Sequence, residues 1–502
     1  MGVVSRQIIK YSFVGYFSFF IGTLATIFLY PRDLEFYGKI RYILPTAEII
    51  LPLVTLGIAF ANVKFYPKLS TNNNHINLLK FSIVFIAINF VFVLLSFLII
   101  GYFSSYIQSK DFWKMRNYIF VLVFLLSFLQ LFSRYISIKK RIVVPNILEN
   151  SMPKFGGIAA FISYFYLGYS EVFAINVFIA FFVISLLFMV LYLVKLEPLP
   201  KATSFDFLFQ NNFKKELFTY SFYTLLGSIG SIIALRIDNF MVGEFIGFKA
   251  NGIYSIAFSI VGLISVPSLG IYTISSPIIA DYIAKNDIEA LDKFHKKTSL
   301  YLFFIGSVLL TIILVGMDDL FALMNKGQEL MKGKSVIFFL GLATLFDLAT
   351  GFNGYIISFS KYYRFNIISM LFLAVVTIVA NLLFISFTNL GITGVSIATF
   401  ISLTLFNLLK INFNYKKFKI HPFSKSYISI IILMTGSILF VKYLLPDFNN
   451  HYINLIIKPS FVLIIFLLGN YIFKIIPLSE LIPKKFKDFI LKIRPNTYKQ
   501  KH

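Results

Sequence analysis

The chain has no cysteine and one tryptophan, and only 14% of its 502 residues are Asp, Glu, Lys or Arg. Lack of cysteine excludes disulfides and thiolate metal sites and leaves the redox compartment open. So little charge excludes an ordinary soluble globular protein, in which about a quarter of residues are charged. The five histidines, His75, His295, His421, His451 and His502, fall outside the apolar runs, in loops or the tail. Imidazole acid–base chemistry within the apolar part and a His-ligated metal are therefore not expected. No hydrophilic stretch is long enough for a separate catalytic or ATP-hydrolysing domain, and no Gly-rich phosphate loop is present. The pattern is that of a carrier rather than an enzyme.

What is present is apolar sequence, 58% of the chain. Tyr11–Pro31, Phe81–Ser109, Ala250–Ala280 and Phe365–Leu409 carry no charged residue. A helix needs roughly 20 mostly apolar residues to cross a bilayer. The reading is an all-α polytopic membrane protein with about fourteen transmembrane helices. They are expected near 9–30, 42–63, 81–104, 117–136, 145–168, 171–194, 217–245, 251–276, 298–317, 335–358, 365–387, 391–412, 426–445 and 456–476. The first has too long an apolar run for a signal peptide and no small-residue cleavage site, so it is read as retained. An even number places both termini on one side of the membrane. Lys and Arg concentrate in loops on that side, which makes it cytoplasmic. The net charge of +24 thus reports topology and contact with anionic headgroups, not a nucleic-acid partner. The 62 Phe and 29 Tyr read as lipid-facing packing and interfacial belts.

The chain also repeats itself. Tyr11-Ser12-Phe13 returns as Tyr220-Ser221-Phe222, Gly38 as Gly252, and Pro52 as Pro267. Tyr135-Ile136 returns as Tyr355-Ile356, and Gly168 as Gly391. Each match is short; the ordered, slowly growing offset is the stronger signal. Six helices per repeat make the two copies parallel, related by an axis along the membrane normal. The expected organisation is a six-helix lobe at 1–195, a cytoplasmic linker at 196–215, a second lobe at 216–420 and two extra helices at 421–476. A basic amphipathic tail follows at 477–502. That tail and Asp281–Lys297 both space apolar residues helically among charges, and both are expected to lie in the headgroup plane.

Ionisable residues inside spanning helices are costly and mark bundle interiors or wet cavities. Here they are Glu48, Glu149, Lys154, Arg236, Asp238, Glu244 and Asp347. Arg236 and Asp238, two apart, point about 200° from one another, so each needs its own partner or a wet space. Arg236 either faces a cavity or snorkels to the outer headgroups. Glu149 and Lys154 flank Pro153, which should bend the fifth helix; Lys154 then projects into a cavity or sits near the cytoplasmic headgroups. Asp347 is the carboxylate expected to be most buried, as a proton carrier or as a satisfied interhelical acceptor. Glu48, between Pro45 and Pro52, is its analogue in the other half.

The architecture resembles that of the polysaccharide (O-antigen type) flippases of the multidrug/oligosaccharidyl-lipid/polysaccharide exporter superfamily. Locally, Tyr37-Gly38 resembles the turn after the family's first helix. Asp238-Asn239-Phe240 and Gly252-Ile253-Tyr254-Ser255 resemble its seventh helix and the opening of its eighth. The resemblance covers essentially the whole chain. It implies a two-lobed transporter in the bacterial cytoplasmic (inner) membrane. Its cargo would be an undecaprenyl-pyrophosphate-linked oligosaccharide, moved to the periplasmic leaflet by alternating access. Arg236 and Lys154 would then meet the anionic headgroup, with Arg32, Arg41 and Lys64 at the mouths. Asp238, Asp347, Glu48 and Glu149 would serve ion coupling or gating. Beyond a coupling proton or sodium ion, no cofactor or metal is implied. The partners implied are membrane lipids, the lipid-linked oligosaccharide and polysaccharide polymerase or assembly proteins. The alternative in the same superfamily is an ion-coupled multidrug antiporter.

Overall fold

A computed structural model describes residues 3–70, 74–198, 204–210 and 212–477, with side chains from residue 14. Helix α1 (Val3–Leu24) continues through a π-turn (Ala25–Leu29) and a 3₁₀ turn (Tyr30–Arg32). Next come α2 (Leu34–Thr55), α3 (Ile58–Leu69), α4 (Asn74–Tyr102), the short α5 (Ser105–Ser109) and α6 (Asp111–Lys114), and α7 (Arg116–Ile138). Helix α8 (Val143–Asn146) runs through a π-turn into α9 (Met152–Phe165), and α10 (Glu171–Leu196) follows. The later helices are α11 (Phe213–Phe245), α12 (Phe248–Ala284), α13 (Ile288–Leu323), α14 (Gly327–Leu330), α15 (Lys334–Ala349) and α16 (Asn353–Phe359). The last are α17 (Tyr363–Phe387), α18 (Ile392–Phe418), α19 (Ser426–Tyr443) and α20 (His451–Phe473).

Among the described residues eleven helices are long and apolar enough to cross a membrane, or thirteen if each bent pair counts as one span. The bent pairs are α2 with α3, at 46°, and α15 with α16, at 48°. Each of the fourteen expected ranges overlies helix, the fifth falling on the interrupted run Val143–Phe165. That interruption is a π-turn at Ile147–Ser151, with Pro153 at the start of α9 where its missing N–H costs nothing. The helix is thus irregular in the turn before Pro153 rather than at it. The basic tail beyond 477, including His502, lies outside the described residues, as do 199–203 and 211 of the expected linker.

Contacts divide the chain into two compact units. The first takes the described residues of Met1–Ile260, Met324–Ala343 and Ser360–Lys410; the second takes those of Val261–Leu323, Thr344–Phe359 and Ile411–His502. In the first unit α7 is central, with 72% of its most apolar stretch buried, whereas α4 has 6% of its own buried there and keeps its buried residues mainly to its first turns. The linker is docked rather than free. Phe207 and Leu208 bury against Ala61, Phe65, Leu69, Leu78, Phe213 and Leu217, and each such burial is worth about 1.5–3 kcal/mol.

The second unit is built on α13, which packs against α19 and α20. The segment Asp281–Lys297 is not a separate helix in the headgroup plane. Helix α12 runs to Ala284, Asn286 takes a left-handed turn (φ 56°), and α13 starts at Ile288. Its apolar face finds protein instead of lipid: Leu291 is fully buried with Ile279, Phe352, Ile356 and Ile420. The histidines also depart from expectation. His295 is fully buried in α13 and His75 is 6% exposed at the start of α4, because both helices run beyond their apolar windows.

Candidate functional site

Within the first unit α2 and α11 run antiparallel along a seam that joins the two sequence repeats. At one end Glu244 accepts hydrogen bonds from the Tyr42 hydroxyl (2.5 Å) and from the backbone N–H groups of Asp111 (3.1 Å) and Phe112 (2.9 Å). About two helical turns further in, Arg236 pairs with Glu48 through Nε to Oε2 and donates from Nη2 to Oε1 at 3.3 Å. At the other end Gly57 abuts the backbone of Ser221. Beside the first end α2 meets α12 with no side chain between. A Cβ on Gly38 would stand 1.7 Å from the Phe248 carbonyl oxygen, and one on Gly252 would stand 2.0 Å from that of Leu34. Asn251 spans the contact by donating to the Gly38 carbonyl at 2.9 Å.

One turn from that contact lies Asp238, 7% exposed. Its Oδ2 accepts from the hydroxyls of Tyr254 (2.6 Å) and Thr399 (2.7 Å), and its Oδ1 accepts from Asn381 Nδ2 at 2.8 Å. Neighbouring Asn239 donates to Asn251 Oδ1 (3.0 Å) and Ser255 Oγ (2.7 Å). No cation faces Asp238 in this set, so three neutral donors carry the carboxylate. The Asn381 side-chain oxygen is buried beside it with no hydrogen-bond partner. Tyr254 and Thr399 oxygens, that amide oxygen and the carboxylate form a set suited to a proton or a small monovalent cation. Among the described residues no group of three or more His, Asp or Glu side chains is placed to hold a metal.

A second set of charges comes from α9, the 3₁₀ turn after α1 and the start of α2. Lys154 lays its stem over Gly22, with Cδ 3.4 Å from where a Cβ would stand. One turn on, the Tyr30 hydroxyl lies against Gly157 and its ring stacks on Tyr37 with centroids 4.1 Å apart. Arg32 lies over the rings of Phe165 (5.9 Å) and Tyr166 (5.4 Å). Arg41 stands near Tyr30, and the Nε atoms of Arg32 and Arg41 are buried with no hydrogen-bond partner. Lys154, Arg32 and Arg41 have no carboxylate partner among the described residues, unlike Arg236.

The remaining expected residues lie elsewhere. Glu149 accepts from Ser133 at 2.7 Å inside the π-turn. Lys64 is exposed, over the Tyr220 ring at 5.8 Å. Asp347 belongs to the second unit, beside Tyr272, and is half-buried. The expectation that it is the best-buried carboxylate is corrected: Asp238 and Asp319, at 7% and 4% exposure, are the buried ones. Sequence position along a helix measures depth, not enclosure by neighbours.

Two polar clusters escaped the sequence reading. Asp319 accepts from His451 Nδ1 (2.7 Å), Asn454 (2.9 Å) and Lys458 (2.7 Å), tying α20 to α13. Glu197, just past α10, accepts from Tyr135 (2.6 Å) and Lys139 (2.9 Å) and pairs with His75 Nε2 (2.9 Å), joining α10 to α7 and α4. Burial pushes the Glu197 carboxyl up, but the bonds from Tyr135, Lys139 and His75 outweigh it and hold it below its usual range. Burial likewise opposes the Lys139 charge, and its bonds to Glu197 and Tyr66 outweigh that and raise its pKa. Asp319, His451, Asn454, His75, Lys139 and Glu197 lie just outside the expected helices, so composition gave them to the loops; Tyr135 and Lys458 fell inside expected helices but carried no signal of these partners.

A family model described as polysaccharide biosynthesis protein matches residues 26–283, more than half of the chain. The chain belongs to that family. The MatE family model matches residues 225–383, a stretch that includes Asp238. No curated protein sequence matches. Among solved structures the chain is similar to a lipid II flippase MurJ in an inward closed conformation. The TM-score is 0.68 at 15% identity, covering 93% of this chain and 98% of that one. It is also similar to an inward-facing MATE-family multidrug transporter of the MOP superfamily, with TM-score 0.61 at 16% identity over 80% of this chain and 94% of that one. A third is a MOP-superfamily transporter from Pyrococcus furiosus whose binding pocket is described as of reverse polarity. Its TM-score is 0.53 at 16% identity, over 83% and 96% of the two chains. These likenesses establish the fold. Together with the family they place the chain among multi-pass transporters of that superfamily rather than among enzymes.

Proposed function

We propose that this member of the polysaccharide biosynthesis family is a flippase. Its cargo is an undecaprenyl-pyrophosphate-linked oligosaccharide, carried from the cytoplasmic to the periplasmic leaflet of a bacterial inner membrane, with both termini cytoplasmic. The observation that carries the reading is the set of cations Lys154, Arg32 and Arg41, placed on helical segments with no carboxylate among the described residues to balance them. An unbalanced cation at membrane depth is expensive, and a pyrophosphate is the ligand that would repay it with charge-assisted hydrogen bonds. Arg236 differs, because Glu48 already neutralises it; it acts as the cargo's contact only when the α2–α11 seam opens. Opening and closing of that seam between the two six-helix repeats is the alternating-access step. Asp238, with its all-neutral donors, is the coupling site for a proton or sodium ion, and Glu244 and Glu48 are the gating carboxylates. Glu149 and Asp347 stay candidates for coupling, and Lys64 for the mouth at the far end of the seam. Membrane lipids and polysaccharide assembly proteins are the partners.

The test is complementation of a bacterial host lacking its own O-antigen flippase, with surface polymer read by gel and antibody. Polymer restored by the wild type and not by a membrane-inserted Lys154→Gln variant supports the reading. Restoration by both would remove the site assignment. The match of 225–383 to MatE, around the buried carboxylate Asp238, favours a second reading as an ion-coupled drug antiporter. Drug resistance conferred without restored polymer would select it.

A further inference from the structure

Five buried polar atoms of the second unit meet at one junction. Helix α13 brings His295 and Ser299, both fully buried; the break between α15 and α16 brings Asn353, 1% exposed; α18 brings Asn414, fully buried. His295 Nδ1 and Nε2, Ser299 Oγ, Asn353 Nδ2 and Asn414 Oδ1 make no hydrogen bond of good geometry, although the Asn353 side chain stands beside the His295 ring and the Tyr427 hydroxyl beside Ser299. They are close neighbours. A Cβ on Gly351 would stand 2.1 Å from Ser299 Oγ and 3.2 Å from His295 Cε1, and the His295 ring lies 4.7 Å from that of Phe352. Asn414 donates to the Asn353 side-chain oxygen at 2.8 Å, which turns the two remaining amide atoms outward from their pair. Tyr427 and Tyr272 close the junction by donating to the carbonyls of Ala349 (2.9 Å) and Gly351 (3.3 Å).

The mixture of these atoms selects the ligand. A neutral imidazole presents one donor and one acceptor, a hydroxyl presents both, Asn353 Nδ2 only donates and Asn414 Oδ1 only accepts. A cation would face the Asn353 N–H groups and the imidazole N–H. An anion would face the Asn414 oxygen. The charged neighbours do not alter this: Asp292 is already paired with Lys296 at 2.7 Å, and the further titratable group facing His295 is His421. A small neutral molecule that both donates and accepts fits, and water is that molecule.

We infer that the His295–Ser299–Asn353–Asn414 junction is a site for tightly held internal water, which links α13 to the break in α15/α16 and to α18. Gly351 is required there on two counts: its φ of 59° and the closeness of Ser299 both exclude a side chain. The water then hydrates a helix break that is otherwise sealed from solvent.

The test is synchrotron hydroxyl-radical footprinting of the full chain in nanodiscs, which oxidises side chains beside bound water even when they are sealed from bulk. Phe352 and His295 should oxidise at least about ten-fold faster than Phe321 and Phe466, which are equally buried in the same unit. Rates equal to those controls overturn the site. A sodium or potassium titration against choline is run alongside. Unchanged labelling supports water, and labelling suppressed by either ion overturns it in favour of a cation. Asn414→Leu, checked for monodispersity, should lower Phe352 labelling while leaving the controls unchanged; the wild-type measurement stands without it.

Discussion

Gly38 and Gly252 contact each other's helices reciprocally. Each faces the carbonyl four residues before the other, Gly38 against Phe248 and Gly252 against Leu34. The two are equivalent positions of the sequence repeat, so the contact is what a two-fold relation between the copies would give at its axis. A two-fold axis brings one residue type against itself, and only glycine lets two backbones come this close.

Adding a methyl group at either position forces α2 and α12 apart. Gly38→Ala and Gly252→Ala should each cost about 1–3 kcal/mol in the closed seam, the usual range for overpacking. Thermal melts of purified protein and polymer output in the complementation strain check this. Wild-type melting in both variants would show that the contact is not tight.

Because the chain has no native cysteine, the seam can be locked directly. A Cβ on Gly243 would lie 3.3 Å from Tyr42 Cβ, near the roughly 3.5–4.5 Å spanned by a disulfide. Tyr42→Cys combined with Gly243→Cys should crosslink on mild oxidation, arrest transport and recover with reductant. Crosslinking that leaves transport intact would show that the seam need not open.

Arg236 and Glu48 test gate against cargo. Their coupling in a double-mutant cycle should be roughly 1 kcal/mol, since both are partly exposed. The swap Arg236→Glu with Glu48→Arg should then recover polymer that either single change loses. If Arg236 meets the cargo and does nothing else, the swap will be as defective as the singles.

Lys154→Gln removes one charge-assisted contact to the cargo. A loss of about 1.5–3 kcal/mol corresponds to a fall in transport of roughly 10- to 100-fold, with Lys154→Arg retaining most of it. Radiolabelled lipid-linked sugar in proteoliposomes gives the rates.

The Glu197 clamp has a definite pH signature. Its carboxyl is held below the usual range, so its stabilisation is complete above the unfolded value of about 4.3 and fades as pH falls through the lower folded value. Lys139 is raised, so its share is present below about 10.4 and fades only at higher pH. The gap in Tm between wild type and Glu197→Gln should hold constant from about pH 5 to 9 and close below about pH 4. A gap that stays open well below pH 4 would show that the clamp does not rest on the carboxylate charge.

Helix position was legible from composition alone, since fourteen charge-poor stretches of about the right length have no other stable solution in a bilayer. The repeat was legible too, and it pointed at Gly38 and Gly252 before their contact was visible. Arg236 and Asp238 could be told to need different partners from their angular separation. Which partners they have could not be told: Glu48 lies 188 residues from Arg236, and Asn381 and Thr399 lie 143 and 161 residues from Asp238.

The sequence determined that the chain is built of membrane-crossing helices, where they lie and which residues bear charge inside them, because hydropathy and helical geometry act over neighbours in the chain. Tertiary structure decided which of those charges are balanced. Arg236 and Lys154 look alike in a hydropathy profile, yet one meets Glu48 and the other lies over Gly22 with no carboxylate partner among the described residues. An ion pair depends on a few ångströms between helices, and no local property of either helix encodes that distance.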